Sequence, residues 1–188
     1  MDEAAGPNTD KPHGIRQTFI ILVGAPAGGK SSIARAFQSL FESRVSRPLY
    51  WLATDAIRKS IACEDYGEPL KQAVYDGMFA ISKKLYAERY DLLLDANFVD
   101  PTRRETFLNL SAPNDKPFTV LVTCDLKTRE FRNQSRPSSQ RVADDYLRQA
   151  HQDAQAFADS ADLVLDTNNV SPIENATLLF RQLDRRIV

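Results

Sequence analysis

An α/β fold, a five-stranded parallel sheet held in three α/β/α layers with a short lid, is what this sequence predicts. Three observations carry the expectation. Apolar runs of strand length alternate with amphipathic helical stretches five times along the chain. The first run, Thr18–Val23 (TFIILV), has the β-branched apolar character of a strand covered on both faces. A glycine-rich turn follows it and opens straight into a helix.

That helix runs from Lys30 to about Glu42, with Ile33, Phe37 and Leu40/Phe41 on one face. Leu49–Ala53 (LYWLA) reads as the second strand, and Asp55–Ala62 as a short helix with Ile57 and Ile61 facing inward. Pro69 opens a longer helix carrying two stripes: Leu70, Val74, Met78, Ile81 and Leu85, and beside it Tyr75, Phe79, Ser82 and Tyr86. Two stripes predict cover on two sides. Asp91–Asp95 (DLLLD) is the third strand, Pro101–Leu110 a helix, and Phe118–Cys124 the fourth strand. Leu126–Arg136 is helical and is interrupted by Arg136-Pro137-Ser138-Ser139. Gln140–Asp159 resumes the helix, and Leu163–Leu165 is a fifth short strand. Ser171-Pro172-Ile173-Glu174 is a capping box with proline at the first helical position, opening a last helix through Leu183.

The chain has 188 residues, of which 43% are apolar and 26% charged, so it is an ordinary globular mixture of about one domain. Residues 1–16 are polar and rich in Pro and Gly, which predicts a disordered leader ahead of one domain over 17–188. Its net charge of -1 argues against a uniformly basic nucleic-acid binder. Cys63 and Cys124 lie 61 positions apart with only two histidines in the chain, which gives no metal-cluster spacing and predicts buried reduced thiols. Phe19–Val23 is too short to cross a bilayer, so a cytoplasmic protein with no membrane partner is expected.

In an open parallel sheet, ligands bind beyond the carboxyl ends of the strands. The segment after the first strand is Gly24-Ala25-Pro26-Ala27-Gly28-Gly29-Lys30-Ser31, a full match to G-x-x-x-x-G-K-[ST], with Ser32 next. Three of the seven glycines are here. Backbone N–H groups must converge on one concavity, which needs close approach and unusual φ values. The helix beginning near Lys30 adds its positive end. Lys30 should bridge the β- and γ-phosphates of ATP, and Ser31 should ligate Mg²⁺.

An NTPase that activates water usually carries Glu after the acidic end of a strand. Here the strand ends Leu94-Asp95-Ala96-Asn97, with alanine in that place. Transfer to an alcohol needs instead a carboxylate near the incoming hydroxyl and cations that spread the transition-state charge. Asp55, at the end of the second strand, is the candidate general base, although a helix N-cap would also explain it. Arg58, three residues on and on the same helical face, is a candidate for a polar or anionic part of the acceptor. Asp95 is placed on the metal side, because a carboxylate ending an apolar strand needs a cation or donors. Asn97 is a candidate for orienting substrate. Arg132 and Arg136, one helical turn apart beside the Pro/Ser break, are candidates for a lid that closes over the phosphates, with Arg129 on the same run. Asp166-Thr167-Asn168, after the last strand, is placed to touch an adenine through its backbone.

With Gly24–Ser31, Asp55-Ala56-Ile57-Arg58, Leu93-Leu94-Asp95-Ala96-Asn97-Phe98 and Arg103, the chain resembles the small P-loop kinases of the AAA_33 type. These include polynucleotide 5′-kinases, zeta-toxin-like kinases and adenylylsulfate kinase relatives. Ala27–Gln38 and Asp162–Ala176 are similar to stretches of the chloramphenicol phosphotransferases. The resemblance spans residues 18–183. It implies a P-loop kinase-like fold, ATP with Mg²⁺, phosphorylation of a hydroxyl, Asp55 as base, lid arginines at Arg132 and Arg136, and Arg103 near the substrate.

The expected function is transfer of the γ-phosphoryl of ATP to a hydroxyl of a small metabolite or natural product. Two other readings stand beside it. One is a polynucleotide 5′-hydroxyl kinase, with Arg58 on a substrate phosphate. The other is a non-catalytic nucleotide-binding regulatory module, which predicts that side chains fill the pocket around Asp55 and Arg58.

Overall fold

Phe19–Val23 forms β1, and every residue in it is buried. Continuous burial is possible because the strand lies in the middle of a sheet covered on both faces. The computed structural model describes residues 17–61, 67–112 and 115–187. The expected leader and Cys63 lie outside them; Cys124 is a buried free thiol, as expected.

After β1 come α1 (Lys30–Val45), β2 (Leu49–Ala53), α2 (Thr54–Ile61), α3 (Glu68–Ala87), β3 (Asp91–Asp95) and α4 (Pro101–Leu108). Then follow β4 (Phe118–Thr123), α5 (Leu126–Gln134), α6 (Asp144–Gln155), β5 (Leu163–Asp166) and α7 (Pro172–Ile187). The sheet order is β2-β3-β1-β4-β5, and every pairing is parallel. This is the five-stranded α/β/α fold expected. The order reverses at β1, which is flanked by β3 and β4 and therefore feeds the loop at the switch point where such sheets bind ligands.

Side chains alternate between two cores. Ile20 and Leu22 point to one face, where Ile33, Phe37 and Phe41 of α1 meet Leu179 and Leu183 of α7. Phe19, Ile21 and Val23 point to the other, against Tyr75 and Met78 of α3, Phe107 of α4 and Ala150 and Ala154 of α6. Each fully buried large side chain contributes about 1.5–3 kcal/mol on transfer from water.

Two inward-facing assignments are corrected. Ile61 is 60% exposed and Ile81 is 44% exposed. α3 buries Val74, Tyr75, Met78 and Ser82 against the sheet and is flanked by α2 and by Phe107 of α4, which leaves Ile81 on the outer part of its apolar stripe exposed. The helix after β4 is also shorter than expected. α5 ends at Gln134, a single 3₁₀ turn occupies Ser138–Gln140, and α6 begins at Asp144. Buried Asn133 closes this loop. Its Nδ2 donates to the Val142 carbonyl at 2.9 Å, and its Oδ1 accepts from the Val142 N–H at 3.1 Å.

Candidate active site

The loop Gly24–Gly29 connects β1 to α1 at the carboxyl edge of the sheet. Gly24 has φ of +151°, and a Cβ there would lie 2.4 Å from the Val122 carbonyl oxygen of β4. No side chain fits. Its N–H donates to the Asn97 carbonyl at 3.0 Å, so the loop is pinned to both strands beside β1. Ala27 has φ of +58°, a left-handed conformation that glycine would adopt without a Cβ penalty.

Lys30 folds back over this loop. Its Nζ donates to the carbonyls of Gly24 at 2.6 Å and Ala25 at 3.1 Å. Burial lowers its pKa to about 8, and Arg129 and Arg136 act in the same direction, while Asp95 and Asp55 oppose them. The ammonium therefore waits at the bowl on carbonyls that give it less than an anion would.

Ser31 donates its hydroxyl to Asp95 Oδ2 at 2.6 Å. Burial pushes the Asp95 carboxyl up from its ordinary value, against the pull of Lys30 and the Ser31 hydroxyl. A hydroxyl and a carboxylate on adjoining elements form the hard-oxygen pair that suits magnesium, which takes few protein ligands and completes its shell with water and phosphate. Ser31 and Asp95 have the donor chemistry that could hold such a cation.

Asp55 lies in the first turn of α2 and pairs with Arg58 at 2.5 Å. Its side chain is 70% exposed, while that of Arg58 is 14% exposed. The carboxylate caps nothing among the described residues. Its charge reaches both Lys30 and Asp95. The Asp55 carboxylate is open toward solvent, whereas the Arg58 side chain is largely covered by its neighbours.

On the other side of β3, Asn97 donates from Nδ2 to the Tyr146 hydroxyl at 2.8 Å, and its buried Oδ1 has no partner among the described residues. Phe98, fully buried with φ of +47°, bends the chain here. The bend is held from two sides. Arg104 donates to the Phe98 and Val99 carbonyls at 2.7 and 3.2 Å. The Tyr75 hydroxyl sits against the N–H groups of Asn97 and Phe98, which pull down a pKa that burial raises to about 12. Arg103 lies over the Tyr75 ring, 4.3 Å from its centroid.

Arg129 and Arg132 of α5 and Arg136 just beyond it divide into three roles. Arg132 donates to Thr167 Oγ1 at 2.8 Å and to the Thr167 carbonyl at 2.6 Å, which ties α5 to the loop after β5. Arg136 donates from its guanidinium to no described residue, and its charge is felt at Lys30. Both line a cavity of about 300 Å³ with Ala27, Gly29, Ser32 and Val170. Arg129, expected beside them in a solvent-facing lid, is instead fully buried beneath the loop. Thr167 was expected at an adenine through its backbone, while its tie to Arg132 was not legible; Val170, Tyr75 and Tyr146 carry no local motif that marks them.

The AAA_33 family model, an AAA domain, matches residues 19–177, and the chain belongs to that family. No curated protein matches. Solved structures do, and they include P-loop kinases. The Mycobacterium tuberculosis APS kinase CysC, solved with AMPPNP and APS, is 17% identical with a TM-score of 0.66, over 90% of this chain and 99% of that one. Shikimate kinase from Acinetobacter baumannii, solved with shikimate, is 17% identical with a TM-score of 0.65, over 90% and 94%. A chain of the Pnkp1/Rnl/Hen1 RNA repair complex is 16% identical with a TM-score of 0.63, over 82% of this chain and 49% of that one. These likenesses establish the P-loop kinase-like fold. Among the described residues no helix is long and apolar enough to cross a membrane.

Proposed function

We propose that this protein is an ATP-dependent phosphotransferase that moves the γ-phosphoryl group to a hydroxyl of a small molecule. One observation carries the reading. The Ser31–Asp95 pair and Lys30 meet at the mouth of the glycine loop, with the open Asp55 carboxylate in electrostatic reach of both Lys30 and Asp95.

In this reading ATP lays its phosphates on the loop and its base in the cavity beside Arg132. Lys30 leaves the Gly24 and Ala25 carbonyls for the β- and γ-phosphates. Magnesium, when bound through Ser31 and Asp95, would neutralise phosphate oxygens. Asp55 takes the proton of the acceptor hydroxyl as that oxygen bonds to the γ-phosphorus. The bond between the γ-phosphorus and the β,γ-bridging oxygen breaks, and ADP leaves with the electron pair. Arg136, free at the lid, spreads the charge that develops. Alanine after Asp95 supports transfer over hydrolysis, since no carboxylate follows there to orient water. In this reading Arg58, Asn97 and Arg103 contact the acceptor.

The test is ADP release from ATP over a panel of hydroxyl compounds, with mass spectrometry of the products. A 5′-hydroxyl oligonucleotide belongs in the panel, because the RNA repair complex is among the structural neighbours. Label on that oligonucleotide alone would move the acceptor to nucleic acid. Tight ATP binding with no acceptor-dependent turnover would favour the regulatory module.

A further inference from the structure

Arg129 is the largest fully buried side chain among the described residues, at 0% exposure. It rises from the first turns of α5, directly behind the glycine loop. Its Nη1 donates to the Ala25 carbonyl at 2.8 Å and to the Pro26 carbonyl at 2.7 Å. Nε and Nη2 are buried without a hydrogen-bond partner. A Cβ built on Gly28 would stand 2.9 Å from Nη1 and 3.5 Å from Nη2, so the guanidinium lies flat against the back of the loop at its narrowest point.

Among the described residues no carboxylate pairs with this charge. Burial disfavours the charge, the Cys124 thiol beside it favours it, and Arg132, Arg136 and Lys30 repel it. A guanidinium keeps its proton in proteins, so this is a buried, unpaired cation. Such a group is costly to bury. Its orientation also has a consequence for the loop. In a trans peptide the C=O and the next N–H point in opposite directions, and the chain has no cis bond among its described residues. Fixing the Pro26 carbonyl on the back face turns the Ala27 N–H to the front. Pro26 itself has no N–H, so Ala27 offers the first amide of the loop after Ala25.

Resting on the nucleotide-binding reading above, we propose that Arg129 is a positioning residue whose charge acts through the loop. It presents the loop amides to the triphosphate, and the triphosphate on the front face supplies the anion that the guanidinium lacks. The neutral loop atoms around Gly28 separate the two charges, and their low polarisability lets the attraction persist across them.

The experiment measures the affinity of the full chain for ATP with magnesium, and for inorganic triphosphate, by calorimetry. Wild type is compared with Arg129→Lys, Arg129→Gln and Arg129→Met, with thermal melts run in parallel. Gln keeps a donor for the carbonyls and removes the charge; Met fills the volume and keeps the apolar surroundings satisfied if Gln fails to fold. The proposal expects Gln and Met to weaken both ligands by roughly tenfold to a hundredfold, and Lys to retain affinity within about threefold. The acceptor KM should stay at the wild-type value in every variant that turns over. Wild-type affinity in Gln or Met would overturn the proposal, as would a Lys variant that falls as far as Gln. If wild type binds neither ATP nor triphosphate, the nucleotide reading itself fails and takes this one with it.

Discussion

Ser31 and Asp95 stand 64 positions apart in the chain and meet at 2.6 Å, joining the first turn of α1 to the end of β3. The contact exists because β1 and β3 are neighbours in parallel register, Leu22 beside Asp95, so the loop after β1 returns over the end of β3. Asp95→Asn preserves an acceptor for the Ser31 hydroxyl and removes a charge that burial disfavours. We expect its melting temperature to equal or exceed that of wild type, while phosphoryl transfer falls by at least about a hundredfold. Thermal melts and turnover on one preparation check both halves.

The pKa of Lys30, lowered to about 8, gives two opposite pH trends. Only the protonated ammonium attracts phosphate, so ATP affinity should be flat below pH 8 and weaken about tenfold per unit above it. Folding responds the other way. Between about 8 and the ordinary 10.5 the unfolded chain holds this proton and the folded chain does not. The Lys30 contribution to stability therefore rises with pH across that window. Calorimetric titrations from pH 7 to pH 9.5, at roughly fixed ionic strength, separate the trends.

Two substitutions in one loop should act with opposite signs. Gly24→Ala drives a methyl group into the Val122 carbonyl and should cost about 3 kcal/mol or more, with loss of nucleotide binding. Ala27→Gly releases a residue at φ of +58° and should stabilise the protein by up to about 1 kcal/mol, the loss of strain outweighing the extra freedom of the unfolded chain. Urea midpoints decide both.

Arg132 and Arg136 should separate kinetically. Arg136→Ala removes a cation that holds nothing in the described structure, so we expect kcat to fall by about a hundredfold or more with little change in melting temperature. Arg132→Ala also breaks the link to Thr167, so nucleotide affinity and thermal stability should fall together. Steady-state kinetics with melts distinguish the two patterns.

Much of this was legible in the chain. The glycine loop announces itself because its spacing is local: eight consecutive residues carry the turn, the amides, the lysine and the serine hydroxyl. β1, β3 and β4 were legible because double-sided burial leaves apolar runs no polar side. Arg129 was not. A run of arginines on a polar helix reads as solvated, and only the tertiary placement of α5 against the loop buries one member while leaving Arg136 free. Ile61 and Ile81 failed for the related reason that a stripe does not say which of its flanks will be covered. The lid boundary moved because the Asn133–Val142 closure is a pairing across nine residues that no propensity encodes.

Acceptor-dependent ADP release, compared between wild type and Asp55→Asn on one identified hydroxyl compound, bears most directly on the whole. The account predicts stoichiometric phosphate monoester with wild type and a loss of about a hundredfold to ten-thousandfold in kcat with Asp55→Asn, at near-normal ATP affinity. Full transfer by Asp55→Asn, or ATP breakdown that gives only free phosphate whichever alcohol is supplied, would contradict it.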